Sequence, residues 1–490
     1  MTRPNILLIV LDATRADACS CYGADQPTTP HLDALAAGGS LYEQAISPAP
    51  WTLPAFASLF TGLYPSQLDI YERKHLGASL PTLATLLSAH GYGTFGVTNN
   101  SWLSADFGLQ RGFDQIYKLW QLFQTTEDIN RLVVLDKAEP GRSLLPNLFS
   151  QWLKGNPLKN VPNTVYNSLW SYKRDYGARR TLRPLTRWLE RQKGPWFALV
   201  HYLEAHLEFK PPDAWARRFA RDWERVCVLR KQDQWRLAWR HMAGLEPLSE
   251  EDLAAWQDLY LAEVAYADHH MGHLLQSLRK LGHLAQTVVA VTADHGESLG
   301  EHGLVNHQYC VYDTLLRVPL VIHYPDAFPA GKRVAWQVQT HDLFATLLEV
   351  VGIEPPPSAS RSLIPAQSDP RPFAVAQYGV PRLPHESLLR RYGLQAEQLG
   401  RYARGLTALR TGQHKLIAGT DGSRELYAWP QDPGEEQDLA ASQPDLVSEL
   451  EGMLHDWQQG LDSASEDEGE NGWSIDPTTA ARLRALGYID

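Results

Sequence analysis

The sequence predicts an α/β protein whose central, mostly parallel sheet is flanked by helices and followed by a smaller α+β subdomain. Two observations lead to this fold class. Short, unbroken apolar runs recur along the chain, as in strands that are buried on both faces of a parallel sheet. Helix-like or polar stretches separate these runs, and strands that alternate with helices are typical of α/β domains.

The length and composition are those of a folded globular protein. The 490 residues exceed the roughly 150 residues of one ordinary domain, so two or three domains or one large domain with insertions are expected. With 44% hydrophobic and 21% charged residues, the composition excludes a collagen-like chain, a wholly disordered chain and a multi-span membrane protein. The 45 basic and 56 acidic residues give a net charge of −11. We therefore expect no nucleic-acid partner, and an anionic substrate must be bound by local groups.

The N-terminal segment and the cysteines indicate a cytoplasmic protein. The first apolar stretch covers only about seven residues before Asp12, too short for a signal peptide or a membrane-spanning helix. The four cysteines are Cys19, Cys21, Cys227 and Cys310. Their irregular spacing fits neither a disulfide framework nor a four-thiolate zinc site, so we expect free thiols in a reducing compartment.

Four apolar runs are the predicted core strands. They are NILLIVLD (5–12), WFALVHYL (196–203), TVVAVTAD (287–294) and VPLVIHYP (318–325). In open α/β sheets, ligands collect beyond the carboxyl ends of the strands, so the polar side chains that end or follow these runs are expected to gather at that edge. These side chains are Asp12, His206, Asp294 and His295.

Helices are predicted between the strand runs. Apolar residues recur at intervals of three and four over 253–278, which predicts one long helix packed on the sheet. Two stretches, near 119–189 and 213–250, carry no strand signal and are predicted to be helical insertions. Within 213–241, eight Arg or Lys residues stand against four Asp or Glu residues. This positive excess is either a solvated helix face or a lid that attracts an anionic substrate.

A Pro-rich stretch, EPPPS at 354–358, predicts a boundary between two domains. The larger domain is expected at 1–357 and a small C-terminal subdomain at 370–490. In the subdomain, HKLIAG and RELYAW flank a turn at 420–423 and predict a hairpin, and DLVSELEGMLHDW predicts an amphipathic helix. The acidic run at 463–472 is expected to be a mobile loop.

Three separated segments supply side chains suited to one metal ion. Asp12 supplies a carboxylate, the Asp294–His295 pair supplies an oxygen and an imidazole nitrogen, and a turn supplies the hydroxyl of Thr52. Oxygen ligands with one nitrogen suit Zn²⁺ or Mn²⁺ better than Ca²⁺, which prefers a cage of oxygens and stays the alternative ion. Singly, a strand-end aspartate is also explained as a capping or turn residue. Together, the four residues favour one divalent metal ion.

Four motifs occur in the order RPNILLIVLDATRAD, PAPWTLPAFASLFTGLYPS, VVAVTADHGESLGEHG and VYDTLLRVPLVIHYP. In this order they resemble the sulfatase-like branch of the alkaline phosphatase superfamily. ELYAWPQDPGEEQDLA and the terminal RLRALGY are similar to the family's C-terminal subdomain. The resemblance implies an alkaline-phosphatase-like fold, in which Asp12, Asp294 and His295 bind the metal. It also implies that Thr52 is a ligand and the nucleophile that hydrolyses a phosphate, phosphonate or sulfate ester through a covalent intermediate.

Some positions depart from the sulfatase pattern. Sulfatases of this family place a cysteine or serine, oxidised to formylglycine, where Thr52 stands, and an arginine where Phe56 stands. Threonine cannot yield the aldehyde because its β-carbon carries a methyl group, so no formylglycine is expected. The chain therefore looks more like the family's phosphodiesterases, phosphonate monoester hydrolases and phosphoethanolamine transferases. Ala13, where a second acid often follows Asp12, indicates a single metal ion.

Two histidines and two neutral polar residues are further candidates for the site. By resemblance, His206 matches a family histidine before an aromatic-proline segment, and His307 matches a histidine or lysine that touches the transferred group. Either imidazole can protonate the leaving oxygen; if both bind metal instead, a second ion is implied. His201 is interpreted as a packed core histidine. Asn99 lies where sulfatases carry a lysine, and with Ser101 it is expected to donate hydrogen bonds to a substrate oxygen.

These residues predict a metal-dependent hydrolase of a small anionic ester, namely a phosphate diester, a phosphonate or a phosphate monoester. Thr52 attacks phosphorus in line, a histidine protonates the departing oxygen, and water then releases the phosphothreonine. Three alternatives stay open: a sulfatase without formylglycine, a transferase that passes the group to an alcohol, and a non-catalytic binding protein. The sequence determines neither the organic part of the substrate nor the oligomeric state.

Overall fold

The computed structural model describes most of the chain. The described residues are 3–124, 158–159, 161–163, 166, 176–366, 368–379, 384 and 386–461. Most of the first predicted insertion, the acidic run at 463–472 and the terminal RLRALGY lie outside these residues.

Strands and helices alternate over much of the described chain. The strands are β1 (Asn5–Leu11), β2 (Ser40–Ile46), β3 (Gly93–Thr98), β4 (Gln115–Lys118), β5 (Trp196–Tyr202), β6 (Thr287–Thr292), β7 (Ser298–Leu299), β8 (Val305–Asn306), β9 (Arg317–Val318), β10 (Leu320–His323), β11 (Lys332–Gln339), β12 (Phe373–Tyr378), β13 (Leu406–Thr411), β14 (His414–Gly419) and β15 (Arg424–Ala428). The α-helices are α1 (Pro30–Ala37), α2 (Thr52–Thr61), α3 (Ile70–Arg73), α4 (Leu83–Ala89), α5 (Ala178–Leu189), α6 (Asp213–Phe219), α7 (Trp223–Leu229), α8 (Gln234–Met242), α9 (Glu250–Lys280), α10 (Asp313–Leu316), α11 (Asp342–Val350), α12 (Glu386–Tyr392) and α13 (Pro444–Gln459).

The central sheet has nine strands in the order β11-β2-β10-β6-β1-β5-β3-β4, with β9 paired to β2. β1 is parallel to both of its neighbours, β5 and β6, and the parallel arrangement continues through β3 to β4. β10 is antiparallel to both β2 and β6. The predicted fold class is confirmed, although the apolar run at 318–325 contributes an antiparallel strand.

Both faces of the sheet are buried at its centre. All seven residues of β1 are buried, and alternate residues belong to two different hydrophobic clusters. Ile6, Leu8 and Val10 pack in one cluster, and Leu7, Ile9 and Leu11 pack in the other. Because successive side chains of a strand point to opposite faces, a strand covered on both faces requires the unbroken apolar run seen in the sequence.

The long helix predicted at 253–278 is α9. It begins with a capping box, in which the Ser249 hydroxyl accepts a hydrogen bond from the Asp252 N–H and the Asp252 carboxylate accepts one from the Ser249 N–H. Basic residues occupy its last turn, where they favour the negative end of the helix dipole. Its apolar side chains reach both hydrophobic clusters, and it contacts α1, α5, α6 and α7.

The second predicted insertion contains α6, α7 and α8. Most of its arginines are engaged by neighbouring groups. Arg221 pairs with Asp258, Arg225 with Asp252, Arg230 with Asp213 and Arg236 with Glu246, and Arg217 stacks on Trp223. Positive charges that are paired in this way favour the interpretation as a solvated helix face over that of a substrate-attracting lid.

A separate four-stranded antiparallel sheet, β12-β13-β14-β15, follows the central domain. The predicted hairpin is confirmed as β14 and β15, and the predicted amphipathic helix as α13. A cluster of buried charges joins this sheet to α10: Lys415 lies 2.7 Å from Asp313 and 2.6 Å from Glu435, and Arg410 lies 3.3 Å from Asp313.

Two further predictions concern membranes and cysteines. Within the described residues, every helix is too short or too polar to cross a lipid bilayer. All four cysteines lie in the described part of the chain and are free, as predicted.

Candidate metal centre and active site

The predicted metal ligands lie at the carboxyl ends of two neighbouring strands. β1 and β6 run parallel, with Val10 opposite Thr292. Asp12 directly follows β1, and Asp294 and His295 follow β6 after one intervening residue. Parallel pairing therefore brings both segments to the same edge of the sheet, as expected from the sequence.

Thr52 reaches this edge as the first residue of α2. Trp51 before it is extended backbone, and all ten residues of α2 are buried. Pro54 is tolerated in the first helical turn because the N–H that it lacks would have no partner within the helix. The hydroxyl of Thr52 thus lies at the positive end of a helix dipole, where negative charge is stabilised.

Polar atoms of the four predicted ligands lie close together. The ligand atoms of Asp12, Asp294 and His295 are all within 4.8 Å of one another. Nε2 of His295 lies 3.5 Å from an Asp12 oxygen, 3.6 Å from an Asp294 oxygen and 3.4 Å from Oγ1 of Thr52. All four side chains are at most 1% exposed. The structure therefore brings the whole predicted ligand set together in a buried site.

The backbone after Asp294 fixes the orientation of the His295 ring. Nδ1 of His295 lies 2.8 Å from the carbonyl oxygen of Gly296, so Nδ1 is the protonated nitrogen and the Nε2 lone pair points towards the carboxylates. A side chain at Gly296 would place its Cβ only 2.0 Å from the carbonyl oxygen of Thr314. Glycine is required there because of this close approach.

Each of the two carboxylates has one oxygen that receives no hydrogen bond from the described residues. Among the described residues, neither Oδ1 of Asp12 nor Oδ2 of Asp294 accepts a hydrogen bond, although both atoms are buried. Burial and the charge of Asp12 raise the pKa of Asp294 to about 6. Burial opposes ionisation of Asp12 as well, but the hydrogen bond and charge of His201 outweigh it and lower the pKa of Asp12. Because a divalent cation would balance two buried carboxylates, the residues present fit a metal ion.

Sequence reasoning missed Asn100, which touches both Asp12 and Thr52. Its Nδ2 lies 3.0 Å from Oδ2 of Asp12 and 3.4 Å from Oγ1 of Thr52. Its Oδ1 accepts the Trp102 N–H, and its own N–H donates to the Thr98 hydroxyl. The amide is therefore held at both ends and aimed at Thr52. The only sequence signal for it was the Asn-Asn pair after β3, since asparagine is common in turns.

His201 is buried, as predicted, but it also contacts Asp12, a predicted metal ligand. Its Nε2 lies 3.1 Å from Oδ2 of Asp12, and its Nδ1 lies 3.2 Å from the Thr98 hydroxyl. Phe56, which replaces the arginine of the sulfatase pattern, packs edge-on against the His201 ring at 5.3 Å. An apolar ring thus supports the histidine that orients Asp12.

His206 and His307 lie beside the ligands. The His307 ring stacks on His295 with centroids 4.5 Å apart, and the His206 ring meets it edge-on at 4.7 Å. Nδ1 of His307 lies 3.4 Å from a Glu297 oxygen, and Nδ1 of His206 lies 2.6 Å from the Leu207 carbonyl oxygen. Burial lowers the pKa of both imidazoles, and for His307 the neighbouring His295 and His206 lower it further. Both rings are therefore neutral at pH 7 in the protein alone.

The segment that carries His307 has a strained backbone. Asn306 and Gln308 on either side of it have φ angles of 82° and 73°, and Tyr309 has a φ angle of 53°. Non-glycine residues rarely adopt this left-handed region, and such strain persists only where the surrounding structure enforces it. The loop therefore places the His307 ring at the cost of backbone strain.

Asn99 and Ser101 are placed differently from the other predicted residues. The Asn99 amide donates a hydrogen bond to the carbonyl oxygen of Tyr176, whereas the neighbouring Asn100 turns towards Thr52. Ser101 is 3% exposed, and its hydroxyl makes no hydrogen bond within the described residues. Their roles in substrate binding stay predictions.

The sequence and the fold have relatives among known proteins. Residues 4–353 match the family described as Sulfatase, and residues 300–460 match the family described as N-sulphoglucosamine sulphohydrolase, C-terminal. The uncharacterized sulfatase YidJ of Escherichia coli K12 is 25% identical over 99% of this chain and 93% of its own length. Arylsulfatase K of Bos taurus is 24% identical over 92% of this chain and 81% of its own. The phosphonate monoester hydrolase of Agrobacterium radiobacter superposes with a TM-score of 0.69 at 23% identity, over 96% of this chain and 99% of that one, and so shares the fold.

Proposed function

Because this chain belongs to the sulfatase family and is an ester hydrolase, we propose that it cleaves a phosphate diester or a phosphonate ester through a covalent intermediate on Thr52. The observation that carries the proposal is the unmodified hydroxyl of Thr52, which lies 3.4 Å from Nε2 of His295 inside the cluster of predicted ligands. A phosphate monoester is a less suitable substrate, because it carries more negative charge than a phosphate diester or a phosphonate ester.

The four clustered side chains would hold one divalent cation. When bound, such an ion lowers the pKa of a ligating hydroxyl and stabilises negative charge on the ester. The four donors are three oxygens and one imidazole nitrogen. This donor set suits Zn²⁺ or Mn²⁺, whereas Ca²⁺ prefers a cage of oxygens, so we propose Zn²⁺ or Mn²⁺.

Thr52 and Asn100 carry out the first step. The Thr52 hydroxyl gives up its proton to water, and Oγ1 attacks phosphorus in line. A P–O bond to Thr52 forms, and the P–O bond to the departing alcohol, which takes a proton from an imidazole, breaks. The Asn100 amide donates towards Oγ1 of Thr52, so it fixes the direction of the nucleophile and stabilises negative charge on it. In the second step water attacks phosphorus, the bond to Thr52 breaks, and the hydroxyl is restored.

His206 and His307 are the proposed sources of the proton for the departing oxygen. Both imidazoles lie beside the ligand His295, and both are neutral at pH 7 in the protein alone. An anionic ester in the site would raise the pKa of a neighbouring imidazole, because opposite charge favours the protonated ring. The charged form then donates its proton as negative charge develops on the alcohol oxygen.

An unmodified threonine at position 52 favours attack on a phosphorus ester over attack on a sulfate ester. Formylglycine releases sulfate by collapse of a hemiacetal, a route that a threonine cannot provide. Phe56 and Asn100, which contact this part of the site, are neutral. Neutral groups suit a singly charged phosphate diester or phosphonate ester better than a dianionic phosphate monoester. A sulfate ester is also singly charged, so the preference for phosphorus over sulfur rests on Thr52 alone.

The second candidate function is hydrolysis of a sulfate ester without formylglycine. The relatives named sulfatase and arylsulfatase favour it. Direct attack of Thr52 on sulfur would then replace attack on phosphorus. For either function, the free cysteines support the cytoplasmic location that we propose.

The test compares ester classes on one metal-quantified preparation. Aryl phosphate diester, aryl phosphonate, aryl phosphate monoester and aryl sulfate are offered to the wild type, Thr52→Ser and Thr52→Ala. We expect the diester or the phosphonate to give the highest kcat/KM. Thr52→Ser should keep activity, and Thr52→Ala should lose about 10³-fold or more, because the nucleophile is removed.

Four results would contradict the proposal or reassign the function. Sulfate turnover above diester turnover would favour the second candidate. Transfer of the phosphoryl group to an added alcohol in preference to water would indicate a transferase. Unchanged activity in Thr52→Ala would exclude this residue as the nucleophile, and substrate binding by a wild type without turnover would indicate a binding protein.

A further inference from the structure

A groove of about 500 Å³ lies between α5 and β4, the strand at one edge of the central sheet. Its apolar wall includes Tyr117, Pro184 and Trp188. Trp188 is fixed by stacking on Phe95 of β3, with centroids 4.9 Å apart and planes inclined by 16°. None of the described residues that line the groove is acidic.

Arginines form a row along the groove. Arg179, Arg183, Arg187 and Arg191 recur at every fourth position of α5 and the turn after it, so they lie on one helix face about 6 Å apart. All four side chains are exposed. None of the four forms an ion pair with any described residue, whereas most arginines of the 213–250 insertion do. The row is therefore a local concentration of positive charge in a chain of net charge −11.

Apolar side chains are exposed at one end of this row. Leu122, which also lines the groove, is 48% exposed, and Phe123 is 44% exposed. Asn163 holds the backbone of Phe123 from both sides, accepting its N–H at 2.7 Å and donating to its carbonyl oxygen at 2.8 Å. The two side chains thus project from an anchored backbone. We call the four arginines with Leu122 and Phe123 the α5 face.

The α5 face begins at the edge of the sheet that carries the active site. The N–H of Ala178, at the start of α5, donates to a Glu204 oxygen at 2.5 Å, and Glu204 lies two residues before His206. The Asn99 amide bonds to the carbonyl oxygen of Tyr176, just before α5. The N-terminal end of the α5 face is therefore linked by hydrogen bonds to the segments that form the candidate active site.

We propose that the α5 face binds the surface of an anionic phospholipid bilayer. Arginines attract acidic headgroups, while the exposed leucine and phenylalanine side chains enter the interfacial region, which is the composition of surfaces that lie on membranes. A hydrophilic polyanion would use the arginines but would gain little from Leu122 and Phe123. Binding in this orientation places the active-site edge near the lipid headgroups. The inference is independent of the substrate proposed above.

The test measures partition onto vesicles without any substrate. The full-length protein is sedimented with vesicles of phosphatidylcholine alone or with 30% phosphatidylglycerol at about 0.1 M salt. We expect binding only to the acidic vesicles, and release at about 0.5 M salt as the charges are screened. Arg183→Gln/Arg187→Gln should weaken partition roughly 30-fold, which corresponds to about 1 kcal/mol for each arginine. Leu122→Ser/Phe123→Ser should weaken it as well, because less apolar surface is buried.

A matched control removes the same charge from the opposite edge of the sheet. Lys332→Gln/Arg333→Gln changes two residues of β11 and should leave partition unchanged. Circular dichroism of each variant confirms that it is folded. Equal binding to neutral and acidic vesicles, or equal losses in the control and the α5 variants, would overturn the proposal. An oligonucleotide or dextran sulfate that binds as tightly as the vesicles, without a loss in Leu122→Ser/Phe123→Ser, would reassign the face to polyanions.

Discussion

At the scale of single residues, the hydroxyl of Thr52 owes its position to groups that lie far away in the sequence. Asn100 and His295 both lie 3.4 Å from it, one after β3 and the other after β6. Asp12 is held in turn by Asn100 and His201. Contacts of this kind tune the affinity of metal ligands and orient reacting groups.

Asn100→Ala should therefore impair catalysis more than Asn99→Ala. The first change removes the donor to Asp12 and Thr52, and we expect kcat/KM to fall by about 10- to 100-fold with weaker metal binding. Asn99 donates to the backbone of Tyr176, so its loss should act mainly on stability. Kinetics of both variants at saturating and limiting Mn²⁺ provide the measurement. A larger kinetic loss in Asn99→Ala would return the role to the residue predicted from the sequence.

His341 should make the stability of the protein depend on pH. Burial lowers its pKa to about 4; Asp342 opposes this shift, and Arg371 adds to it. In the unfolded chain this imidazole binds a proton near pH 6.5, whereas in the folded chain it binds one only near pH 4. The free energy of unfolding is therefore highest above pH 6.5. It decreases as the pH falls, by about 2 kcal/mol between pH 6.5 and pH 5. Urea unfolding at pH 7 and pH 5 measures the loss.

Replacement of this histidine isolates its contribution. In His341→Leu the part of the acid-induced loss that belongs to His341 should disappear, so the difference between the two pH values becomes smaller by about 2 kcal/mol. His90→Gln, which changes an exposed histidine, serves as the control and should keep the wild-type dependence. An unchanged dependence in His341→Leu would show that other groups cause it.

At this scale the sequence predicted the candidate metal ligands but not the side chains that hold them in place. Asp12, Asp294 and His295 were recognisable because each follows an apolar strand run. Asn100 and His201 carry no comparable signal: one resembles a turn residue and the other sits inside a strand. Only the packing of β3, β5 and β1 side by side brings them to Asp12.

At the scale of elements, the buried charges between β14 and α10 connect the C-terminal sheet to the central domain. Lys415 is 2% exposed and lies between Asp313 and Glu435. Burial opposes the charge of Lys415, but the two carboxylates raise its pKa. Burial also raises the pKa of Glu435 to about 7, although Lys415 opposes that shift.

Lys415→Met should destabilise the protein by about 3–5 kcal/mol, because it leaves the buried Glu435 without its cation and removes one of the two cations beside Asp313. Protonation of Glu435 would reduce this cost, so the loss should be larger at pH 8 than at pH 6. Lys332→Met on β11 is the control and should change stability by no more than about 0.5 kcal/mol, since that side chain is exposed. Thermal unfolding of both variants at the two pH values provides the comparison, and equal midpoints would argue against the bridging role.

The elements that the sequence predicted are those with a strong single pattern. β1, β5 and β6 appear as unbroken apolar runs, and α9 appears as a long stripe. β2 was not predicted, because Glu43 and Gln44 interrupt its apolar pattern, and β3 contains two glycines. The antiparallel direction of β10 was equally hidden, since an apolar run is the same in either direction and the neighbouring strands decide how it pairs.

At the scale of the whole molecule, the site is assembled from segments that span most of the larger domain. Asp12 and His295 are separated by more than half of the chain. A cation that binds only the folded arrangement stabilises the fold by mass action, by about 2.7 kcal/mol at a concentration of 100 times Kd.

Metal addition should therefore raise the thermal midpoint of the metal-free protein. We expect Mn²⁺ or Zn²⁺ to raise it by a few degrees, and a chelator to reverse the change. Asp294→Asn should lose most of this response, because the amide removes one of the two buried charges. Asp268→Asn is the control, since Asp268 is a buried carboxylate that binds the N-terminal backbone of α1 instead. A response in Asp294→Asn equal to that of the wild type would place the metal elsewhere.

The sequence by itself determined which reactive side chains this protein has and which strands form the centre of its sheet. Apolar runs fix which strands are buried on both faces, and an unmodified threonine cannot form formylglycine, whatever its surroundings. Tertiary structure alone decided which neutral groups face Thr52 and where the arginines of α5 meet exposed apolar side chains. The physical reason is range: periodicity and residue chemistry act within one segment, whereas a contact of 3 Å between residues a hundred positions apart depends on how all the intervening elements pack.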